Sequence, residues 1–135
     1  MTVLDREGRS ELHYAACDAN LALVRSLVSS GVDVNLQDRR GWSPLHFAAQ
    51  ANSPEVALFL IQRGALVDAE DSYGNTPLST ATFNSRGRGE VIQVLRAAGA
   101  DPRKKNKHGV SALALARTIA NFDVAQFYDD ISDPA

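Results

Sequence analysis

The feature that most constrains the fold of this chain is a segment that recurs every 33 residues. SELHYAA begins at Ser10, SPLHFAA at Ser43 and TPLSTAT at Thr76, and a weaker copy, SALALA, begins at Ser111. The last spacing is 35 residues, and the two extra residues fall in the glycine-rich stretch 84–89. A short unit of this kind must bury its apolar face against its neighbours, so the period predicts a stack of four similar units.

Each unit carries signals for two helices. Ser or Thr followed by Pro predicts a helix that starts with an N-cap and has a proline in its first turn. A second helix follows, with apolar residues at helical spacing, as at Leu23, Leu27 and Val28. In three units a glycine stands where a left-handed C-cap would end that helix. These glycines, to which we assign a structural role, are Gly31, Gly64 and Gly99.

These units resemble ankyrin repeats, whose pattern is Thr-Pro-Leu-His-x-Ala-Ala, a second helix, and Gly-Ala-Asp-Val-Asn. The resemblance covers nearly the whole chain and implies an all-α fold, an ankyrin-repeat solenoid of four stacked helix-turn-helix units with β-hairpin turn loops. It implies a single domain over residues 1–135, with repeats at about 5–37, 38–70, 71–105 and 106–131. The sequence departs from the pattern at Glu11 and Ala112, where proline is usual, and at Ser79 and Ala114, where histidine is usual.

Two histidines and one cysteine could suggest an enzyme. His13 and His46 both lie in the Leu-His step of their repeats. The resemblance implies that each imidazole hydrogen-bonds backbone groups in the turns and ties one repeat to the next. Cys17 is interpreted as a packing residue or an idle thiol, because no Cys-His-acid spacing supports a nucleophile.

The turn aspartates Asp5, Asp38 and Asp71 could suggest a row of metal ligands. They lie one repeat apart, roughly the 8–10 Å of helix packing, which is too far for one ion to be shared. Each is therefore predicted to cap its own turn through its side chain. The sequence predicts no enzyme, no metal and no cofactor, and a hydrolase is kept as a remote alternative.

Charge and hydropathy limit the partners. The formal net charge is −2, so no overall field draws the chain to nucleic acid or to anionic lipid. The basic run from Arg103 to His108 is interpreted as a solvated turn, because a nucleic-acid site would need a broader basic footprint. The chain has neither an apolar run of about 18 residues nor a recognisable secretory signal. We therefore expect a cytoplasmic protein that binds neither nucleic acid nor membrane.

The two ends of the array carry polar residues. Arg25 and three serines lie on the second helix of the first repeat, and the apolar positions of the last second helix become Phe127, Tyr128 and Asp129. Terminal repeats must present one face to water, so these residues predict a complete, monomeric array. A contact between Arg96 and Asp129 would join the last two repeats.

A stacked array of this kind usually binds partners on the concave face, formed by the turn tips and the first helices. Trp42 and Tyr73, with Arg39 and Arg40, converge on its middle and belong to residue types enriched in interface hot spots. The other candidates for partner contact are Arg9, Asn75, Lys107, His108, Gln50 and Phe83. Trp42 has two interpretations: a partner buries its indole, or the indole covers the base of the turn and helps to stack the repeats.

The sequence thus predicts a non-enzymatic module that binds another protein through its concave face. The closing run, ALALAR followed by FDVAQF, resembles that of small free-standing bacterial ankyrin proteins, some of which are immunity proteins that occlude a toxin. The resemblance implies a stoichiometric inhibitor, such as an immunity protein that neutralises a cognate bacterial toxin. A general adaptor or regulatory protein with no toxin partner is the alternative.

Overall fold

The computed structural model describes residues 3–131, and in this range helices follow one another without a β-strand. The α-helices are α1 (Glu11–Cys17), α2 (Leu21–Ser29), α3 (Pro44–Gln50), α4 (Pro54–Gln62), α5 (Pro77–Phe83), α6 (Glu90–Ala97) and α7 (Ala112–Thr118), and a 3₁₀ helix spans Ala125–Tyr128. The predicted all-α repeat solenoid is confirmed. Within residues 3–131, every helix is too short or too polar to span a bilayer.

The helices begin where the Ser/Thr-Pro signals predict. Thr76 caps α5, and its hydroxyl accepts the Ser79 N–H at 3.3 Å. Ser111, which is followed by Ala112 and not by proline, also caps its helix, α7, with its hydroxyl 3.1 Å from the Ala114 nitrogen. Pro77 occupies the first turn of α5, where its missing N–H removes no hydrogen bond.

The second helices end at the expected glycines. Gly31, Gly64 and Gly99 follow α2, α4 and α6 with φ angles of +100°, +96° and +96°. A side chain with a Cβ adopts this region only at a cost, so glycine lets the chain reverse direction at this point.

The first helices form one row and the second helices form another. α3 packs against α1 and α5, α5 packs against α7, and α4 packs between α2 and α6. The core contains one buried leucine at the same position of each repeat: Leu12, Leu45, Leu78 and Leu113. Full burial of such a side chain contributes about 1.5–3 kcal/mol, so this ladder is a main source of stacking energy.

Each of the first three turn tips is closed by its own aspartate. Oδ1 of Asp71 accepts the N–H groups of Tyr73 and Asn75 at 2.8 and 2.9 Å. Asp5 and Asp38 accept from the equivalent groups of their own turns at 2.9 Å. The prediction that these aspartates cap their turns is confirmed.

Neighbouring tips are joined by single backbone hydrogen bonds. The donors and acceptors are Arg39 N–H to Glu7 C=O (2.9 Å), Ser72 N–H to Arg40 C=O (2.8 Å) and Lys107 N–H to Tyr73 C=O (2.8 Å). No strand is assigned within residues 3–131, so the β-hairpin geometry predicted for the tips is not confirmed. The tips are tight turns set side by side.

The fourth repeat differs from the prediction in its second half. The sequence predicts a second helix through Phe127, Tyr128 and Asp129, whereas the structure has a 3₁₀ helix over Ala125–Tyr128. Ile119 leaves α7 in an extended conformation, and the chain then closes the stack with this one short turn. Tyr128 is only 2% exposed, its hydroxyl lies 2.6 Å from Oγ1 of Thr82, and burial raises the pKa of Tyr128 to about 12.

The predicted contact between Arg96 and Asp129 is wrong by one residue. Nη1 and Nη2 of Arg96 each lie 2.7 Å from a carboxylate oxygen of Asp130, and Nη1 also donates to the Phe127 carbonyl at 2.8 Å. The tighter winding of the 3₁₀ helix places residue 130, not residue 129, against α6. The guanidinium therefore fastens the last turn to the third repeat.

Candidate functional site

His13 and His46 are fully buried beneath the tips and use both ring nitrogens within the chain. Nδ1 of His46 lies 3.1 Å from the backbone nitrogen of Ser43, and its Nε2 lies 3.0 Å from the carbonyl oxygen of Asn75 in the next repeat. His13 makes the equivalent contacts at 3.0 Å. Since Nδ1 accepts from an amide, Nε2 holds the ring proton and donates it to the carbonyl. Burial lowers the pKa of both imidazoles.

These contacts favour a structural role for the histidines over a catalytic one. Neither imidazole has a nitrogen left for proton transfer to a substrate. Cys17 is exposed, and its Sγ lies 4.0 Å from Oε1 of Gln50. In the part of the chain that the structure describes, no three His, Cys, Asp or Glu residues are grouped so as to hold a metal ion.

A second set of contacts ties each tip to the next one. In the first three repeats, the residue before the N-cap of the first helix hydrogen-bonds the turn residue of the following repeat. The pairs are Arg9 Nε with Asp38 Oδ2 (3.1 Å), Trp42 Nε1 with Asp71 Oδ2 (3.1 Å) and Asn106 Nδ2 with Asn75 Oδ1 (2.8 Å). Three residues predicted to contact a partner, Arg9, Trp42 and Asn75, therefore also hold the stack together.

Trp42 is half-buried by its own chain. The centroids of its ring and the His46 ring are 5.5 Å apart, and the Phe47 ring is 4.9 Å away. With the bond to Asp71, these contacts match the interpretation in which the indole stacks repeats. The remaining exposed edge of Trp42 borders a cleft, and this edge is the part of the residue that a partner could touch.

This cleft, of about 450 Å³, lies between the tips and the first helices of the second, third and fourth repeats. Five of the predicted contact residues line it: Trp42, Gln50, Asn75, Phe83 and His108. Sequence reasoning missed Ser79 and Leu115, which also line the cleft. The cleft could have been predicted from Ser79, because this residue departs from the repeat pattern at the position where the first two repeats have a buried histidine.

Two large side chains stand exposed around the cleft. Phe83 is 71% exposed and Tyr73 is 59% exposed. The Tyr73 ring stacks on the His108 ring of the next tip, with centroids 6.5 Å apart and planes 24° apart. These rings give the concave face an apolar surface that its own chain leaves open to solvent.

The tips beside the cleft are basic. Arg39 and Arg40 are exposed on the second tip, and Lys107 is exposed on the fourth, all three outside the cleft lining. The carboxylates of Asp38 and Asp71 at the second and third tips are buried acceptors and offer a partner little charge. The concave face around the cleft therefore presents cations around an apolar centre.

A stack of short helix pairs whose tips project side by side defines a repeat protein that binds along one surface. A sequence model of the family described as "Ankyrin repeats (3 copies)" matches residues 12–106, and the chain belongs to the ankyrin-repeat family. Ankyrin repeats are typically non-enzymatic modules for protein–protein interaction. A search of curated proteins finds no match to the chain.

Proposed function

We propose that the chain binds one partner protein through its concave face, defined as the turn tips and the exposed sides of α1, α3, α5 and α7. The observation that carries this proposal is the pair of exposed rings, Phe83 and Tyr73, beside an open cleft. Exposed apolar groups rimmed by charge mark interaction sites, and Tyr, Trp and Arg are enriched among hot spots.

The more specific form of the proposal is a stoichiometric inhibitor acting in the cytoplasm, such as an immunity protein that neutralises a cognate bacterial toxin. It is supported by the resemblance of the closing run to small bacterial ankyrin proteins. An inhibitor must abolish the activity of its partner at a 1:1 ratio. A partner that keeps its activity when saturated with the chain would instead identify an adaptor.

The test uses exposed side chains, because Trp42→Ala would also remove the hydrogen bond to Asp71. The partner is captured from the native host, purified, and titrated by calorimetry. Tyr73→Ala and Arg40→Glu should each weaken its binding by about tenfold or more, which is on the order of 1.4 kcal/mol. Leu58→Ala and Arg63→Glu, on or beside α4 in the other helix row, are the matched controls and should leave the affinity unchanged. The opposite result, with loss only in the α4 variants, overturns the proposal.

A further inference from the structure

The second and third repeats carry side chains of different size in the layer beneath the tips. The second repeat has three rings in contact, those of Trp42, His46 and Phe47. The residues 33 positions later are Asn75, Ser79 and Thr80. The backbone at the start of the two helices is the same, with φ −88° and ψ 166° at Ser43 and φ −99° and ψ 165° at Thr76. The cleft therefore lies where the third repeat has these three smaller side chains, all of which line it.

The walls of the cleft are suited to an aromatic ring. Trp42 borders it on the side of the second repeat, Val110 and Leu115 border it on the side of the fourth, and Phe83 stands at its mouth. Its volume of about 450 Å³ lies in the range of sites that hold whole small ligands, so one large side chain fits. A ring in this position would extend the aromatic layer that stops at Trp42.

We propose that this cleft is a socket for a single tryptophan or tyrosine side chain of the partner protein, carried on a segment with flanking Asp and Glu residues. The ring is assigned from the three smaller residues of the third repeat, and the acidic flanks from the exposed cations Arg39, Arg40 and Lys107. The inference rests on the proposed function, since it names the part of the partner that the concave face recognises.

One substitution fills the socket with a residue that the fold already uses. Ser79→His introduces the imidazole that the first two repeats bury at the equivalent position. Ala114→His places the same residue at the equivalent position of the fourth repeat, which is exposed and outside the cleft lining, and is the matched control. Thr80→Phe, which builds the counterpart of Phe47, is a second way to fill the cleft if Ser79→His does not fold.

The probe is the peptide acetyl-Asp-Glu-Gly-Trp-Gly-Glu-Asp-amide, titrated into the whole chain and followed by amide NMR shifts. We expect shifts centred on Ser79, Thr80 and Leu115, with a dissociation constant of about 1 mM or tighter. Ser79→His should weaken binding by about tenfold or more, and Ala114→His by less than about twofold. Raising the salt concentration should weaken binding, because it screens the contacts between exposed charges.

Three comparison probes separate the possible occupants. A peptide with Ala in place of Trp that binds equally well would show that charge alone is recognised, and would overturn the inference. Free indole binding as tightly as the peptide would identify a small-molecule site instead. A twelve-residue thymidine oligonucleotide that binds more tightly, with the same loss in Ser79→His, would identify a nucleic-acid site. Either result overturns the inference.

The two proposals fail in different ways. If Tyr73→Ala and Arg40→Glu lose the cellular partner while Ser79→His keeps it and the peptide does not bind, the concave face is the binding surface and the socket is wrong. If neither the tip variants nor Ser79→His affects the cellular partner, the proposed function itself is wrong.

Discussion

At the scale of single residues, the two buried histidines connect consecutive repeats by hydrogen bonds. Each imidazole accepts from its own N-cap residue and donates to the carbonyl that precedes the next N-cap. The ring therefore fixes both the start of its helix and the position of the following repeat. Both hydrogen bonds require the neutral tautomer with its proton on Nε2, because a protonated ring has no acceptor nitrogen.

Stability should fall as the pH falls below about 6.5. Burial lowers the pKa of His13 and His46 from their usual 6.5, so at mildly acidic pH the unfolded chain binds more protons than the folded chain. The free energy of unfolding therefore increases with pH between the pKa of the histidines in the folded chain and 6.5. Above this range the histidines are neutral in both states and no longer lower the stability. Between pH 7.5 and pH 5.5 the loss is at most about 1.4 kcal/mol for each histidine. Urea unfolding at several pH values measures it.

The control variants separate these histidines from other groups. His46→Gln should lower stability at pH 7.5 by about 1–3 kcal/mol and should reduce the slope of stability against pH. His108→Gln, at an exposed tip, should leave the stability at pH 7.5 unchanged. The pKa values of Asp5 and Asp130 are lowered from 3.8, by a hydrogen bond from Tyr14 and by one from Arg96, so these groups act only at more acidic pH. An unchanged slope in His46→Gln would contradict the assignment.

At the scale of the helix pair, the loop between the first and second helix contains a conformation that the first repeat tolerates poorly. Ala19, Asn52 and Arg86 have positive φ angles of 55°, 54° and 52°. The left-handed region costs an ordinary residue roughly 1–2 kcal/mol, and Asn is among the residues that bear it best. The Asn52 side chain also donates to the Asn84 carbonyl of the next repeat at 2.6 Å.

Ala19→Asn should therefore stabilise the chain by about 0.5–1 kcal/mol, because asparagine adopts this conformation with less strain. The reciprocal change, Asn52→Ala, should destabilise it by about 1–2 kcal/mol, since it adds strain and removes the hydrogen bond to Asn84. Thermal unfolding of the two variants beside the wild type checks both signs. A loss of stability in Ala19→Asn would show that this loop is not strained.

The helix pairs are also where sequence reasoning succeeds best. The N-caps, the C-terminal glycines and the turn aspartates follow rules that involve a few neighbouring residues, so a 33-residue period reveals them. The use of Trp42 as a link to Asp71 depends on where the next repeat lies, and the period alone cannot say whether an indole faces solvent or a neighbour. The burial of Tyr128 likewise depends on the 3₁₀ helix that replaces the last second helix.

At the scale of the whole molecule, the stack is a row of interfaces of unequal strength. The second and third repeats are joined by the His46–Asn75 bond and the Trp42–Asp71 bond, and the Trp42 ring is itself held by the His46 and Phe47 rings of its own repeat. Between the third and fourth repeats, Ser79 occupies the position that His46 has in the second repeat, and it lines the open cleft. Because each repeat contacts only its neighbours, the stability of an array is a sum of such local terms, and a weak interface lets one end open alone.

We therefore expect the fourth repeat to open before the rest of the stack. In native-state hydrogen exchange, the amides of α7 should exchange faster than those of α3, although both helices have seven residues and both have buried faces. Ser79→His should slow exchange in α7 selectively, because its ring can donate to a carbonyl of the fourth repeat as His46 does to Asn75. A gain of about 1 kcal/mol is expected from that hydrogen bond, and Ala114→His should give none.

Equal protection of α7 and α3 in the wild type would mean that the Asn75–Asn106 and Thr82–Tyr128 contacts compensate for the missing rings. In that case the cleft would not lower the stability of the fourth repeat.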